Sequence, residues 1–176
     1  MSLCAKPALP PAVIRLHRVH AQQLDAGIVR RWLLESREAL GRAREEIDSL
    51  NVFPVPDGDT GTNMYLTVDA AVRGVADVTR DTLDEVLAAS ARGAFLGARG
   101  NSGVIFSQMY RGVVDVLARD LAAEGGAVFA RALQAGTAAG YEAVAEPVEG
   151  TMLSVFRAAA DAALEAAEDG GSLARV

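Results

Sequence analysis

The seven residues Asp57-Gly-Asp-Thr-Gly-Thr-Asn63 hold two carboxylates, two hydroxyls, one amide and two glycines. Carboxylates two residues apart, beside small hydroxyl side chains, can place several oxygens on one cation. The glycines leave backbone N–H groups open to an anion. A calcium EF-hand is excluded: counted from Asp57, the position that needs glycine holds Thr62 and the one that needs a bidentate Glu holds Val68. An Asx-turn with a helix cap at Thr62 is the plainer alternative. The density of polar and flexible residues exceeds what capping alone requires.

A second segment, Gly97-Ala-Arg-Gly-Asn-Ser-Gly103, also opens a helix. Small residues and free N–H groups at a helix start bind phosphate through the macrodipole. It is neither a Walker A loop, since no Gly-Lys-Ser/Thr occurs, nor Gly-x-Gly-x-x-Gly. A helix–helix turn with Arg99 as a solvated rim charge is the alternative. A third segment, Glu149-Gly-Thr-Met-Leu153, reads by itself as a helix start after the break at Pro147. His17-x-x-His20 has the spacing of a helical metal pair, but no third ligand lies nearby. Met64, Met109 and Met152 read as gap-filling core, and the alanine runs Ala158–Ala160 and Ala162–Ala163 as packing surface.

The elements that must carry these segments are helices. Ala occurs 34 times and aromatics are only 5%, which favours closely packed helices over a β-sandwich. Residues 1–21 contain Pro7, Pro10 and Pro11 and read as an irregular tail. The apolar set Leu24, Ile28, Trp32, Leu33, Leu40, Ala43, Ile47 and Leu50 predicts a helix over about Gln22 to Leu50, with Asp25 as N-cap. Further helices are expected over about Asn63–Gly74, Thr82–Leu96 (opened by a capping box, Thr82-x-x-Glu85), Val104–Ala123, Val128–Ala145 and Thr151–Ala167. Ser172 would cap another. The fold class is all-α, with residues 22–176 of the 176 forming one domain after the tail.

Net charge is -6, which weighs against general nucleic-acid binding. Residues 1–44 hold eight Lys/Arg against three Asp/Glu, and the remainder nine against twenty, so the acidity lies after the first helix. Cys4 is the single cysteine, so there is no disulfide framework, and a reducing cytoplasm is the expected setting. No apolar run approaches the ~18 residues of a membrane span.

Ser49-Leu-Asn-Val-Phe-Pro-Val-Pro-Asp-Gly-Asp-Thr-Gly-Thr-Asn-Met64 resembles the signature of the nucleotide-binding domain shared by the dihydroxyacetone kinase L subunit and the bacterial fatty acid kinases. The likeness continues through Gly97–Gln108, Arg111-Gly112 and Pro147–Leu153, and covers about residues 22–171. Three motifs in the right order make chance a poor explanation. Asn-Val-x-Pro-Val-Pro, and Thr60 where the other branch has His, bring it nearer the fatty acid kinases.

That resemblance implies an antiparallel barrel, or bundle, of amphipathic helices that holds ATP or ADP with two Mg²⁺ in loops at one end. It assigns Asp57 and Asp59 to the metal and the catalytic centre, with Asn51 as a third metal ligand. Gly58, Thr60, Gly61, Thr62 and Asn63 would meet the nucleotide, as would Arg99, Gly100, Asn101, Ser102 and Gly103. Thr151 and Met152 would lie near base or ribose. The phosphoryl acceptor would sit on a partner: a DegV-like fatty-acid-binding protein, or a dihydroxyacetone-binding subunit in the alternative branch. A homodimer stays open, as does a catalytically silent nucleotide-holding module. The family domain continues into a further helix past an Asp-x-Gly-Gly segment. The chain is therefore expected to be a piece of a longer unit, with an open apolar seam and lower stability than an extended form.

Overall fold

The computed structural model describes residues 24–53, 55–120 and 125–169. Six helices follow one another: α1 (Ala26–Leu50), α2 (Thr60–Ala76), α3 (Leu83–Gly97), α4 (Gly100–Arg119), α5 (Gly126–Glu142) and α6 (Met152–Glu168). Among the described residues there is no strand. The expected tail, its His pair, Cys4 and the cap at Ser172 lie outside these residues.

Asp25 caps α1 as expected, its Oδ1 accepting from the Ile28 N–H at 2.7 Å. Thr151 caps α6 through its own hydroxyl. The Thr82 box does not form as read: Thr82 is the N-cap of α3, but its side chain makes no cap bond. Two helices start earlier than periodicity suggests, α2 at Thr60 and α4 at Gly100. Polar first turns carry no hydrophobic signal, so the pattern starts only where each helix reaches the core. By the same token Thr62 is inside the first turn of α2, and Asp59 holds the N-cap position.

Neighbouring helices run antiparallel, and small residues set how closely they approach. In α2 and α3, Gly74 faces Gly93, and Ala70 faces Gly93 and Gly97. In α4 and α5, Gly112 faces Gly136 while Met109 faces Gly140. A Cβ on Gly93 would press on the Ala70 carbonyl oxygen at 2.6 Å. Only glycine permits that spacing. Val86, Leu87, Ala94, Met109, Ala130 and Ala132 are sealed in the core. Trp32 of α1 packs on Phe129 of α5, ring centroids 5.3 Å apart.

Some expected core residues face out. Leu50 is 71% exposed, because the helix ends there and the chain turns away. Met109 is buried, but Met64 and Met152 are only half-buried. On α6, Ala160 and Ala163 are buried, whereas Val155, Ala158, Ala159 and Ala162 face outward. Alternation brings the C-terminus of α1 and the N-termini of α2, α4 and α6 to one end of the bundle.

Candidate functional site

The loop from Asn51 to Asp59 is held by one amide. Asn51 Nδ2 donates to the Val55 carbonyl at 2.8 Å, and Oδ1 accepts from the Thr60 N–H at 3.1 Å and the Thr60 hydroxyl at 2.6 Å. Asn51 thus ties the loop's exit from α1 to the start of α2, its oxygen facing Thr60. Gly58 turns the chain at φ 63°, a backbone state that side chains resist. Asp57 is exposed and Asp59 half-buried. Asp59 stands at the N-cap position of α2 yet makes no side-chain cap bond.

Asp48, on the last turns of α1, takes that bond instead. Its Oδ1 accepts from the Thr62 N–H at 3.0 Å and its Oδ2 from the Thr62 hydroxyl at 2.7 Å. Desolvation pushes the Asp48 carboxyl up, but the Thr62 hydroxyl and N–H, the Gly61 N–H and the nearby Arg44 charge outweigh it. The carboxyl is held below its ordinary value of 3.8. Gly61 allows this approach, since a Cβ there would stand 3.0 Å from the Ile47 Cβ.

The α4 start meets α2 from the other side. Thr67 Oγ1 donates to the Asn63 carbonyl at 2.7 Å and accepts from the Arg99 N–H at 3.3 Å. Ser102 and Thr60 hydroxyls lie 3.1 Å apart. Gly100 turns at φ 57°, and a Cβ there would collide with the Asn63 amide. A Cβ on Gly103 would likewise collide with Thr67 Oγ1. Both glycines thus admit the protein's own side chains at the start of α4. Asn63 is only 7% exposed, and its Nδ2 is buried with no hydrogen-bond partner. An unmatched buried N–H group calls for an acceptor.

Two parallel helix N-termini therefore converge, each with the positive end of its dipole at this place. Asp48 counters the first. The second, at Gly100, has no acidic residue in its first turn and no side-chain cap. Arg99 and Asn101 are exposed beside it. Thr151 and Met152 sit at the same end of the bundle, but no hydrogen bond among the described residues joins them to these two helix starts. Val52, Phe53, Val55, Phe95, Leu96 and Val104 stand exposed around them.

The α5–α6 connection carries a second polar cluster, whose parts the sequence left unassigned apart from Glu149. Glu149 Oε1 accepts from the Tyr141 hydroxyl at 3.0 Å and Oε2 from the Ser154 hydroxyl at 2.6 Å. Arg157 adds a bidentate pair at 2.9 and 2.8 Å and lies over the Tyr141 ring. The Ser154 hydroxyl, Arg157 and Tyr141 together hold the Glu149 carboxyl below its ordinary value. Tyr141 on α5 and Ser154 and Arg157 on α6 are eight, five and eight residues from Glu149 in the loop between them, so local spacing gave no signal for the cluster. Nor did it for Asp48, which caps a helix that is not its own.

The all-helical architecture of the described residues agrees with what the comparisons find. The model of the DAK2 domain matches residues 54–176. Protein YloV of Bacillus subtilis is 44% identical over 148 residues, 82% of this chain and 26% of YloV. An uncharacterized protein of Staphylococcus saprophyticus is 40% identical over 147 residues, 84% of this chain and 26% of the relative. One of Staphylococcus aureus is 40% identical over 137 residues, 78% of this chain and 25% of the relative. The chain belongs to the DAK2 domain family. It spans about a quarter of the length of these curated relatives.

Proposed function

We propose that this chain is the nucleotide-holding part of an ATP-dependent phosphotransferase. The observation that carries the reading is the buried, unpartnered Asn63 Nδ2 aimed at the N-terminus of α4. A phosphate oxygen there would satisfy that donor and meet the N–H groups opened by Gly100. Thr60, Gly58, Gly61, Asn101, Ser102 and Gly103 form the rest of the cradle, with Arg99 at its rim. Thr62 contributes indirectly, because its N–H and hydroxyl are engaged by Asp48. Thr151 and Met152 would border the base or ribose.

The donor set suits Mg²⁺, a hard cation that takes one or two carboxylates and completes its shell with phosphate oxygens and water. Asp57 and Asp59 would hold it; Asn51, expected as a third ligand, has its Oδ1 engaged twice by Thr60 and would instead hold the loop beside them. Among the described residues no cluster of three or more His, Cys, Asp or Glu side chains is placed to bind a metal alone. Metal, as two ions, and nucleotide would bind together. When bound, Mg²⁺ neutralises phosphate charge, the main requirement of phosphoryl transfer.

The acceptor would be a fatty acid carboxylate on a DegV-like protein, with dihydroxyacetone on a binding subunit as the alternative. A carboxylate is already ionised at pH 7 and needs no general base. One of its oxygens would bond to the γ-phosphorus as the bond to the β,γ-bridging oxygen breaks, releasing ADP. The exposed apolar residues Val52, Phe53, Val55, Phe95, Leu96 and Val104 on and beside the two loops suit a protein partner. A cytoplasmic setting is part of this reading.

Calorimetry tests the reading. ADP should bind only with Mg²⁺ present, and Asp57→Asn/Asp59→Asn should lose that binding. Unchanged affinity in the double variant would overturn the metal assignment. Mixing the chain with γ-labelled ATP and a fatty-acid-loaded DegV-like protein, or with a dihydroxyacetone-loaded subunit, distinguishes the acceptors. Binding without transfer to either would leave a nucleotide-holding module.

A further inference from the structure

An Asp at an N-cap position ordinarily uses its carboxylate to accept from the N–H groups of the second and third helical residues. Asp59 is at that position in α2 and does not. The second and third residues are Gly61 and Thr62, and the Thr62 N–H is bonded to Asp48 on the neighbouring helix. Three features make that exchange possible. Gly61 has no side chain, so α2 starts hard against the Arg44 carbonyl and Ile47. The Thr62 hydroxyl gives Asp48 a second, charge-assisted bond at 2.7 Å. Asn51 holds the Thr60 N–H at 3.1 Å, so another first-turn donor of α2 is also engaged from outside the loop's acidic pair. The positive end of α2 is thereby balanced without either Asp57 or Asp59.

We infer that Asp48 is a positioning residue: by capping α2 from α1 it releases the Asp59 carboxylate for an incoming cation. The inference deepens the metal-nucleotide reading and rests on it for the identity of the cation. The capping exchange itself is independent of any ligand. It has a direct consequence. If Asp48 is removed, the Thr62 N–H loses its acceptor, and Asp59, at the N-cap position, is the carboxylate placed to replace it. The helix is then rescued at the expense of the metal site.

A melting cycle without metal, in EDTA, reads the exchange. In the otherwise unchanged chain, Asp59→Ala should leave the melting temperature within ~1 °C, since its carboxylate caps nothing. In an Asp48→Ala background the same change should lower it by about 3 °C, the effect of a lost cap in a domain of this size. Equal shifts in both backgrounds overturn the inference. Paramagnetic Mn²⁺ titration with ADP, read by electron resonance, tests the consequence. Asp48→Ala should weaken Mn²⁺ by roughly tenfold, the scale on which supporting partners of metal ligands act. Asp48→Asn keeps an acceptor for the Thr62 N–H and should hold affinity near the original. Equal Mn²⁺ affinity in Asp48→Ala and the unaltered chain also overturns the inference. If the unaltered chain binds no Mn²⁺, the reading of the site fails, and the melting cycle still decides the cap.

Discussion

Two loops at the same end of the bundle use their carboxylates in opposite ways. In the α5–α6 connection, Glu149 is bonded at both oxygens, to Tyr141, Ser154 and Arg157. Its charge holds the loop. In the α1–α2 connection, Asp59 makes no cap bond although it stands where one is usual, and Asp57 is exposed. That loop is held instead by neutral or remote groups, the Asn51 amide and the Asp48 carboxylate. A loop fixed by its own acids cannot offer them to a ligand. One fixed from outside can.

The largest effect should come from breaking the cradle that faces the open acids. Gly100→Val adds a Cβ in the space of the Asn63 amide, at a backbone φ of 57° that a branched side chain resists. Nucleotide-induced thermal stabilisation should vanish, and the melting temperature should fall by several degrees, while circular dichroism stays helical. Normal ADP affinity in this variant would return the turn to a purely structural role.

Next in size is the direct contrast between the two loops. Asp57→Asn/Asp59→Asn should lower Mg·ADP affinity by at least ~10-fold with little change in melting temperature in EDTA. Glu149→Gln should do the reverse, lowering the melting temperature by no more than ~2 °C, since exposed ion pairs contribute little, and sparing most of the affinity. Calorimetry and melting on the same samples separate the two behaviours. A large affinity loss in Glu149→Gln would merge the loops into one functional unit.

A smaller effect lies in the pH dependence. The Asp48 and Glu149 carboxyls are both held below their ordinary values of 3.8 and 4.5. The folded chain therefore binds fewer protons at these sites than the unfolded chain, and acid destabilises it. Each contribution is complete above the ordinary value and is lost as pH falls through the lower folded value. Glu149→Gln should flatten the decline in melting temperature that starts near pH 4.5, and Asp48→Asn the part that starts near pH 3.8. The least effect is expected of Tyr141→Phe, which removes one of the four bonds to Glu149 and leaves the Arg157 pair. Melting should shift by under ~1 °C. A larger shift would make the hydroxyl, rather than the guanidinium, the main support of the loop.

Much of the architecture was legible in the sequence because it rests on short-range rules. Helical periodicity, the cap at Asp25 and the break at Pro147 gave six helices in their right places. The Gly- and Asp-rich segments marked both helix starts that converge in the site. Boundaries drifted at Thr60 and Gly100, where the first turns are polar and hydrophobic spacing has nothing to report. Leu50 and Ala158 were read as inward-facing, but burial depends on where a helix stops and what lies beside it.

The sequence by itself determined the helical class, the order of the elements and the small set of acids, amides and glycines from which a phosphate and metal site could be built. Only the tertiary structure decided how those groups are allotted. It set Asn63 Nδ2, unmatched, against the start of α4. It gave Gly100 and Gly103 the task of admitting Asn63 and Thr67, and it engaged Thr62 and Glu149 in holding the fold. It made Asp48, eleven residues before the acid whose cap it replaces, the partner of α2. The reason is that a hydrogen bond depends on distance and direction in space, whereas sequence spacing constrains those only within one helix or turn.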